Sequence, residues 1–287
     1  MAMSGDTLAR SFGRQAFGLS PENYHLARPP YPPVVWDVLR QRAGLRSGIS
    51  ILEIGAGTGL ATEHLLEQEP QRLLAVEPDR RLAEFLQARL HRPGLAVIEQ
   101  TFEDLNEVPQ SYDLVVSATA FHWLDAVPAL RRIHVLLRDG GAVALIWNVF
   151  GDSIRPDPFH EASAHLFIGH RPSPSGGGTT QTPYGLDSDA RLRDFEEASF
   201  RCDPPVMFEW TLTLDPPALR RLYATYSNVV ALEVEKREAL LDALEDLARS
   251  DFGGVVTRNM TTSVFIARRM SGRYRPTGEG IPRTFHN

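Results

Sequence analysis

Glu53, Gly55, Gly57 and Gly59, at alternate positions, carry the densest chemical signal in this 287-residue chain. They join an apolar run, Ile51-Leu52-Glu53-Ile54, to the amphipathic run Leu60-Ala61-Thr62-Glu63-His64-Leu65-Leu66. That is the pattern of a buried strand turning directly into a helix. Glycines at such a turn let the backbone bend sharply and let a ligand lie against it, while the unpaired amides of the helix start face that ligand. The arrangement suits a nucleotide-like cofactor. A dinucleotide fingerprint, G-x-G-x-x-G, wants a glycine in the sixth place, where this chain has Leu60; its third glycine comes one step early.

Other candidates close later apolar runs. Glu77, followed by Pro78, ends the run 73–77 at roughly 20 positions past the glycines, where a carboxylate can accept both ribose hydroxyls; the alternative is a solvent-facing acid at a helix start. The run Ser117-Ala118-Thr119-Ala120-Phe121-His122-Trp123-Leu124-Asp125 puts small residues ahead of an aromatic and histidine cluster. Small residues there suit close approach of two reactants. Histidine titrates near neutrality, so His122 is a candidate general base, with a packing role for His122 and Trp123 as the alternative.

These residues must be positioned by a sheet. Strands are predicted at 51–54, 73–77, 95–99, 114–117 and 142–147, with helices such as 80–90 and 129–137 between them. The alternation predicts an α/β, doubly wound, mostly parallel sheet with helices on both faces, whose ligands gather at the strand carboxyl ends. Strand-like runs at 206–214 and 255–269 have no helix-length crossover ahead of them and are expected to form an antiparallel pair at the sheet edge.

Composition bounds the function. A net charge of −6 speaks against a broad nucleic-acid footprint, and 43% hydrophobic content is ordinary for a globular protein. The single Cys202 can form no internal disulfide, which points to a reducing cytoplasm. There is no signal-like start and no membrane-length apolar window, so neither membrane nor nucleic acid is expected as a partner. His160, His165 and His170 recur in steps of five, off a single helix face, and no carboxylate or cysteine cluster completes a site, so no metal is expected.

An acid, one apolar residue and G-x-G-x-G, as Glu53 to Gly59 read, resemble motif I of the class I S-adenosylmethionine (SAM) dependent methyltransferases. The resemblance covers roughly 11–148, with a weaker continuation to 269. It implies SAM as cofactor and a seven-stranded Rossmann-like fold ending in an antiparallel pair. It further implies cofactor contacts at Glu53, Gly55, Ala56, Gly57, Gly59, Glu77, Pro78, Ala118 and Phe121. In that family the loop Thr101-Phe102-Glu103 lines the adenine; an Asp often stands where this chain has Thr101, so Phe102 or Glu103 is left to share the recognition, with capping of the next turn by Glu103 or Asp104 as the alternative. Phe12-Gly13, Tyr24 and Arg28-Pro29-Pro30-Tyr31-Pro32 resemble the N-terminal lid of small-molecule methyltransferases of the trans-aconitate type, which implies Arg28 at the methionine carboxylate and Tyr24 beside it. The prolines also fit a stiff leader before a helix.

The expected organisation is a lid over 1–40, a methyltransferase domain over 41–270 with cap insertions near 149–200 and 215–250, and a polar tail, 271–287. The first insertion contains the flexible run 173–179. His122, Trp123, Asn148, Tyr223 and Tyr226 are the candidates to face the acceptor, although an aromatic stripe such as Tyr223 and Tyr226 also fits a helix core. The Asn/Asp-Pro-Pro-aromatic signature of nucleic-acid and protein amino-methylating enzymes is missing after the fourth strand. The expected activity is therefore methyl transfer to a small-molecule acceptor at oxygen, nitrogen or carbon. A non-methylating displacement on SAM by the same fold and a non-catalytic binding partner stand as alternatives, and the oligomeric state is open, a homodimer included.

Overall fold

Strand after strand in the first half of the chain is apolar at every position, and the structure shows where each face goes. It is a computed structural model that describes residues 8, 9, 12, 17–150, 155–176 and 182–269. Gly13 of the lid motif, 177–179 of the flexible run and the tail 271–287 lie outside the described residues.

Strands β1 (Ser50–Ile54), β2 (Arg72–Glu77), β3 (Leu95–Glu99), β4 (Tyr112–Ala118) and β5 (Leu137–Phe150) are parallel in the order β3-β2-β1-β4-β5. Alternate residues separate into two cores. Leu52, Ile54, Leu74, Val76, Val115, Val143, Leu145 and Trp147 point to one side, and Ile51, Leu73, Ala75, Leu114, Val116, Ala142, Ala144 and Ile146 to the other. Helices cover both faces, so neither parity can be polar. On the second face, α1 (Pro21–Ala27) leads into α2 (Pro33–Val38), whose Val35 and Trp36 join Leu65 of α3 (Leu60–Leu66) and Leu86 of α4 (Arg80–Arg89) in the core. The first face is packed by α5 (Ala126–Leu136) through Leu130 and Ile133.

The antiparallel end of the sheet is built from β6 (Phe200–Cys202), β7 (Val206–Leu214) and β8 (Val256–Arg269). β8 runs against β5, pairing Ala142 with Arg268 and Phe150 with Met260, and both β6 and β7 pair with the far side of β8. β6 and β7 are two pieces of one edge. The Asp203 amide still reaches the Ile266 carbonyl at 2.9 Å, but Pro204 and Pro205 have no N–H to offer, and the ladder breaks there. Eight strand segments therefore stand where seven were expected. The expectation of no helix ahead of this pair is corrected: α6 (Pro158–Ser163) and α7 (Ser188–Glu197) precede it, and Phe195 of α7 packs into the same core as α5. α7 escaped notice because charged residues dominate it.

A third core lies over the carboxyl ends of the strands. Phe159 of α6, Leu219 and Leu222 of α8 (Pro216–Tyr223), Val229 of α9 (Ser227–Val230) and Leu240, Leu241 and Leu244 of α10 (Val234–Ser250) form it. A buried ion pair ties this cap to the sheet: Arg258 Nε of β8 bonds both Asp157 oxygens, at 3.1 and 2.9 Å, and Asp157 also caps α6 through the His160 amide at 2.7 Å. No helix among the described residues is long and apolar enough to cross a membrane.

Gly59 belongs to this scaffold. Its φ of 87° caps α3, and a Cβ there would lie 2.3 Å from Leu86 Cδ1 of α4. Gly59→Ala is expected to cost at least about 1–2 kcal/mol, from the left-handed backbone alone. Chemical denaturation checks this; an unchanged midpoint would show that the turn can relax.

Candidate functional site

The turn after β1 is held against the end of β2. The Gly55 and Ala56 amides both donate to the Val76 carbonyl, at 2.9 and 3.2 Å. Gly55 has φ 71°, and a Cβ on it would sit 2.4 Å from the Ala120 methyl, so the loop after β4 closes directly on this glycine. The Gly57 amide turns the other way and donates to Glu77 Oε2 at 2.8 Å, while the Asp79 amide donates to Glu77 Oε1 at 2.9 Å. Glu77 is buried, which removes the solvent-facing alternative for it.

Beyond these contacts opens a cleft. Its wall includes Tyr24, Arg28, Glu53, Gly55, Ala56, Gly57, Glu77, Pro78, Thr101, Phe102, Glu103 and Ala118, all expected at a cofactor site. Two expected residues are absent from it. Gly59 faces α4, and Phe121 has no exposed surface and belongs to the core beneath β4 and β5. Thr101 lines the cleft, but its hydroxyl is engaged with Asp104, donating to Oδ2 at 2.5 Å and accepting from the Asp104 amide at 3.2 Å. That leaves less of it for a ligand than the sequence suggested.

The electrostatics of the cleft come from two buried carboxyls. Burial pushes Glu53 up to about 8, with the nearby Glu77 charge acting in the same sense, and Glu53 Oε2 has no hydrogen-bond partner. Burial also pushes Glu77 up to about 7, against the pull of the Asp79 and Gly57 amides. An orphaned buried oxygen facing a cleft is a place for a ligand's donor.

A second cleft lies under the cap. It shares Phe17, Tyr24, Arg28, Thr119, Trp123, Asn148 and Phe150 with the first, so the two spaces meet there. His122, Trp123, Asn148, Tyr223 and Tyr226, the candidates named for an acceptor, all line it. Arg28 sits at the junction with its guanidinium 4.8 Å from the Tyr24 ring centre and 5.4 Å from that of Tyr226. Its Nη2 donates to the Thr225 carbonyl at 2.7 Å, and its buried Nε has no partner. Asn148 fixes the lid: its Nδ2 donates to the Pro29 and Pro30 carbonyls, both at 3.2 Å, and its Oδ1 accepts from Thr262 at 2.6 Å. Of the three spaced histidines, His160 lines this second cleft, His165 bonds the Ala162 carbonyl and His170 packs on Phe167.

His122 is not placed as a base. Its Nδ1 accepts from Trp147 Nε1 at 3.2 Å, and burial, with the positive charges of Arg28 and Arg191 behind it, brings its pKa down to about 3. The neutral ring then carries its proton on Nε2. Residues that the sequence left unassigned include Tyr31, whose hydroxyl lies 2.8 Å from Thr119 Oγ1, Thr119 itself with φ 54°, and Arg258. A period-two reading of β8 puts Arg258 in line with buried Val256 and Met260, and that was the available signal.

Comparison with known proteins agrees with this geometry. A family model described as a methyltransferase domain matches residues 52–145. An uncharacterized methyltransferase of Mycobacterium tuberculosis is 35% identical over 233 residues, spanning 81% of this chain and 85% of that protein. The chain belongs to the SAM-dependent methyltransferases. An uncharacterized methyltransferase of Schizosaccharomyces pombe is 25% identical over 243 residues, spanning 79% of this chain and 85% of its own. The YcgJ protein from Bacillus subtilis, 14% identical, superposes with a TM-score of 0.54 over 83% of this methyltransferase and 98% of itself, a likeness of fold.

Raised carboxyl pKa values make the unliganded methyltransferase sensitive to pH. Glu53 and Glu77 are held above their unfolded values, so the stability they contribute is complete below the unfolded pKa and is lost as pH rises through about 7 to 8. Above about pH 6.5, where the buried His122, which acts in the opposite sense, has ceased to titrate in either state, melting temperature should fall toward about pH 8, and Glu53→Gln should flatten that fall. Calorimetric scans across that range decide it; an equal slope in both proteins would remove Glu53 as the cause.

Proposed function

We propose that this SAM-dependent methyltransferase acts on a small molecule, with the first cleft as the donor site and the capped second cleft as the acceptor site. The observation that carries the reading is the shared wall, where Arg28, Thr119, Trp123 and Asn148 border both spaces. Aromatic rings, among them Phe17, Trp147, Phe150, Phe167 and Tyr223, line the second space, which suits a partly apolar metabolite. A net charge of −6 speaks against a nucleic acid as the acceptor.

SAM fits the chemistry of the first cleft, whose orphaned Glu53 oxygen and unpartnered Arg28 Nε await a donor and an acceptor. In this reading Glu77 accepts the ribose hydroxyls, which is compatible with its two amide bonds because each carboxylate oxygen has a second lone pair. Arg28, with Tyr24 against it, takes the methionine carboxylate, Glu53 takes donors of the same end, and Thr101 to Glu103 border the adenine. SAM supplies an electrophilic methyl on a sulfonium, whose bonding electron pair stays with sulfur on transfer. The protein's part is to bind, align and keep water out. Phe17 and Tyr24 of the lid, ring centres 5.4 Å apart, and Trp123, 5.9 Å from Phe17, form the hydrophobic closure at the junction.

Loss of the Glu77 carboxylate should weaken SAM binding by about 1.5–3 kcal/mol, the value of a charge-assisted bond. Isothermal titration of Glu77→Ala with SAM and S-adenosylhomocysteine measures it, and unchanged affinity would move the ribose elsewhere. Label from methyl-labelled SAM should enter low-molecular-mass products and spare protein, RNA and DNA. Arg28→Ala should weaken SAM binding; an effect confined to acceptor turnover would place Arg28 in the acceptor site instead.

A further inference from the structure

His122 and Trp147 form a buried pair at the floor of the second cleft, 4% and 1% exposed. The direction of their bond is unambiguous. An indole nitrogen can only donate, so Trp147 Nε1, 3.2 Å away, must meet a lone pair on His122 Nδ1. A proton on Nδ1 would set two N–H groups against each other in a buried place. Trp147 cannot easily turn aside. The Gly185 backbone lies so close that a Cβ there would fall 2.6 Å from the Trp147 side chain, and the Phe265 and Tyr184 rings pack against the indole at 5.9 and 5.6 Å.

The groups around His122 all act in one direction. Arg28 and Arg191 both disfavour a second proton on the ring. Trp123 and Tyr184 flank it, ring centres 5.1 and 6.1 Å away. No Asp or Glu lines the second cleft among the described residues. The other ring nitrogen, Nε2, has no protein partner among those residues, while the ring borders the cavity. A general base needs a lone pair aimed at the acceptor, and the one lone pair of this ring is already in the bond from Trp147.

We propose that Trp147 is a positioning residue that locks His122 in the Nε2–H tautomer, so that His122 donates a hydrogen bond to the acceptor and takes no proton from it. The proposal rests on the reading of the second cleft as the acceptor site. It assigns the cavity a selective role: an atom that must lose a proton during transfer cannot hand it to His122, and His160 is the other imidazole in the described wall. Tyr226, whose buried hydroxyl is unpartnered, belongs to the same wall. Beside His122 the cavity therefore favours an acceptor that carries a hydrogen-bond-accepting group over one that offers only donors.

Two-bond proton–nitrogen NMR on protein carrying 15N-histidine tests the lock without any acceptor. Expected is a His122 with a lone-pair Nδ1 and a protonated Nε2, unchanged from about pH 5 to about pH 8 and in the S-adenosylhomocysteine complex. Trp147→Phe should mix the tautomers. A protonated Nδ1, or a His122 that titrates in that range in the parent protein, overturns the proposal, as does a Trp147→Phe spectrum that keeps the parent tautomer. Should that variant fail to fold, His122→Gln and His122→Phe replace it, with S-adenosylhomocysteine affinity as the folding control. Label transfer from SAM to a low-molecular-mass cell extract should stay within about fivefold for Gln, which keeps a donor, and fall on the order of 100-fold for Phe. Equal losses in both, or an acid limb near the histidine range that persists in His160→Gln, would restore the base. A parent protein that binds SAM but labels nothing in the extract overturns the acceptor-site reading and the acceptor part of this proposal, while the NMR result decides the tautomer by itself.

Discussion

A single hydrogen bond, from the Gly57 amide to Glu77 Oε2 at 2.8 Å, joins the parts on which the methyltransferase site depends. It requires a glycine turn after β1, a carboxylate at the end of β2 and the register that sets Ile54 beside Val76. The other Glu77 oxygen binds the Asp79 amide, and Asp79 in turn caps α4 through the Arg81 amide at 3.0 Å. A Cβ on Gly18 of the lid would meet that same Asp79 carboxylate at 2.2 Å, so the lid rests on the chain's own capping residue. Turn, strand end, helix start and lid thus converge on two acids, Glu77 and Asp79, with Pro78 between them. A buried carboxyl that answers backbone amides organises the cleft before a ligand arrives, and its raised pKa records the desolvation this costs.

The two clefts are coupled because they share walls. Asn148 at the end of β5 grips Pro29 and Pro30 of the lid on one side and Thr262 of β8 on the other, and Thr262 also accepts from Trp210 of the edge strand at 2.9 Å. Arg28 reaches the cap through Thr225, and Asn23 of α1 reaches the Arg221 carbonyl of α8 at 3.4 Å. A displacement of the lid therefore loads the cap helices as well as the cofactor cleft. The Asp157–Arg258 pair opposes that motion from below. Removing one partner would leave a buried charge uncompensated, which makes the pair a firm anchor whatever its net energy.

The lining of the first cleft was largely legible in the sequence and the build of the second was not, for a physical reason. Glu53, Gly55, Gly57 and Glu77 act through local backbone geometry repeated at fixed distances from strand ends, and short-range spacing encodes that geometry. Spacing does not say which amide faces the ligand. Gly59 and Phe121 sit at motif positions but serve α4 packing and the sheet core, outcomes set by neighbours such as Leu86. The second cleft is assembled from residues far apart in the chain: Arg258 finds Asp157 across 101 positions, and His122 meets Trp147, 25 positions on. Likewise the edge strand is legible as β-prone sequence at β7, while three-residue β6 is defined only by its pairing with β8.

Thr119 shows why the junction takes the shape it does. A β-branched residue at φ 54° is strained, and such a conformation persists only where the surroundings over-determine it. Three bonds do so here: its amide to the Ile146 carbonyl at 2.7 Å, and its hydroxyl to Tyr31 at 2.8 Å and from the Asn148 amide at 3.4 Å. The twist they enforce swings Ala120 onto Gly55, closing the space between the turns after β1 and β4. The wall of the first cleft runs from this closed turn to Arg28 and Asn148, where the second cleft begins. Of the hydroxyl protons on Tyr31 and Thr119, one serves their mutual bond and the other is not used by it. The strain thus holds a hydroxyl pair in the wall of the first cleft, at the residue, Thr119, that also borders the second.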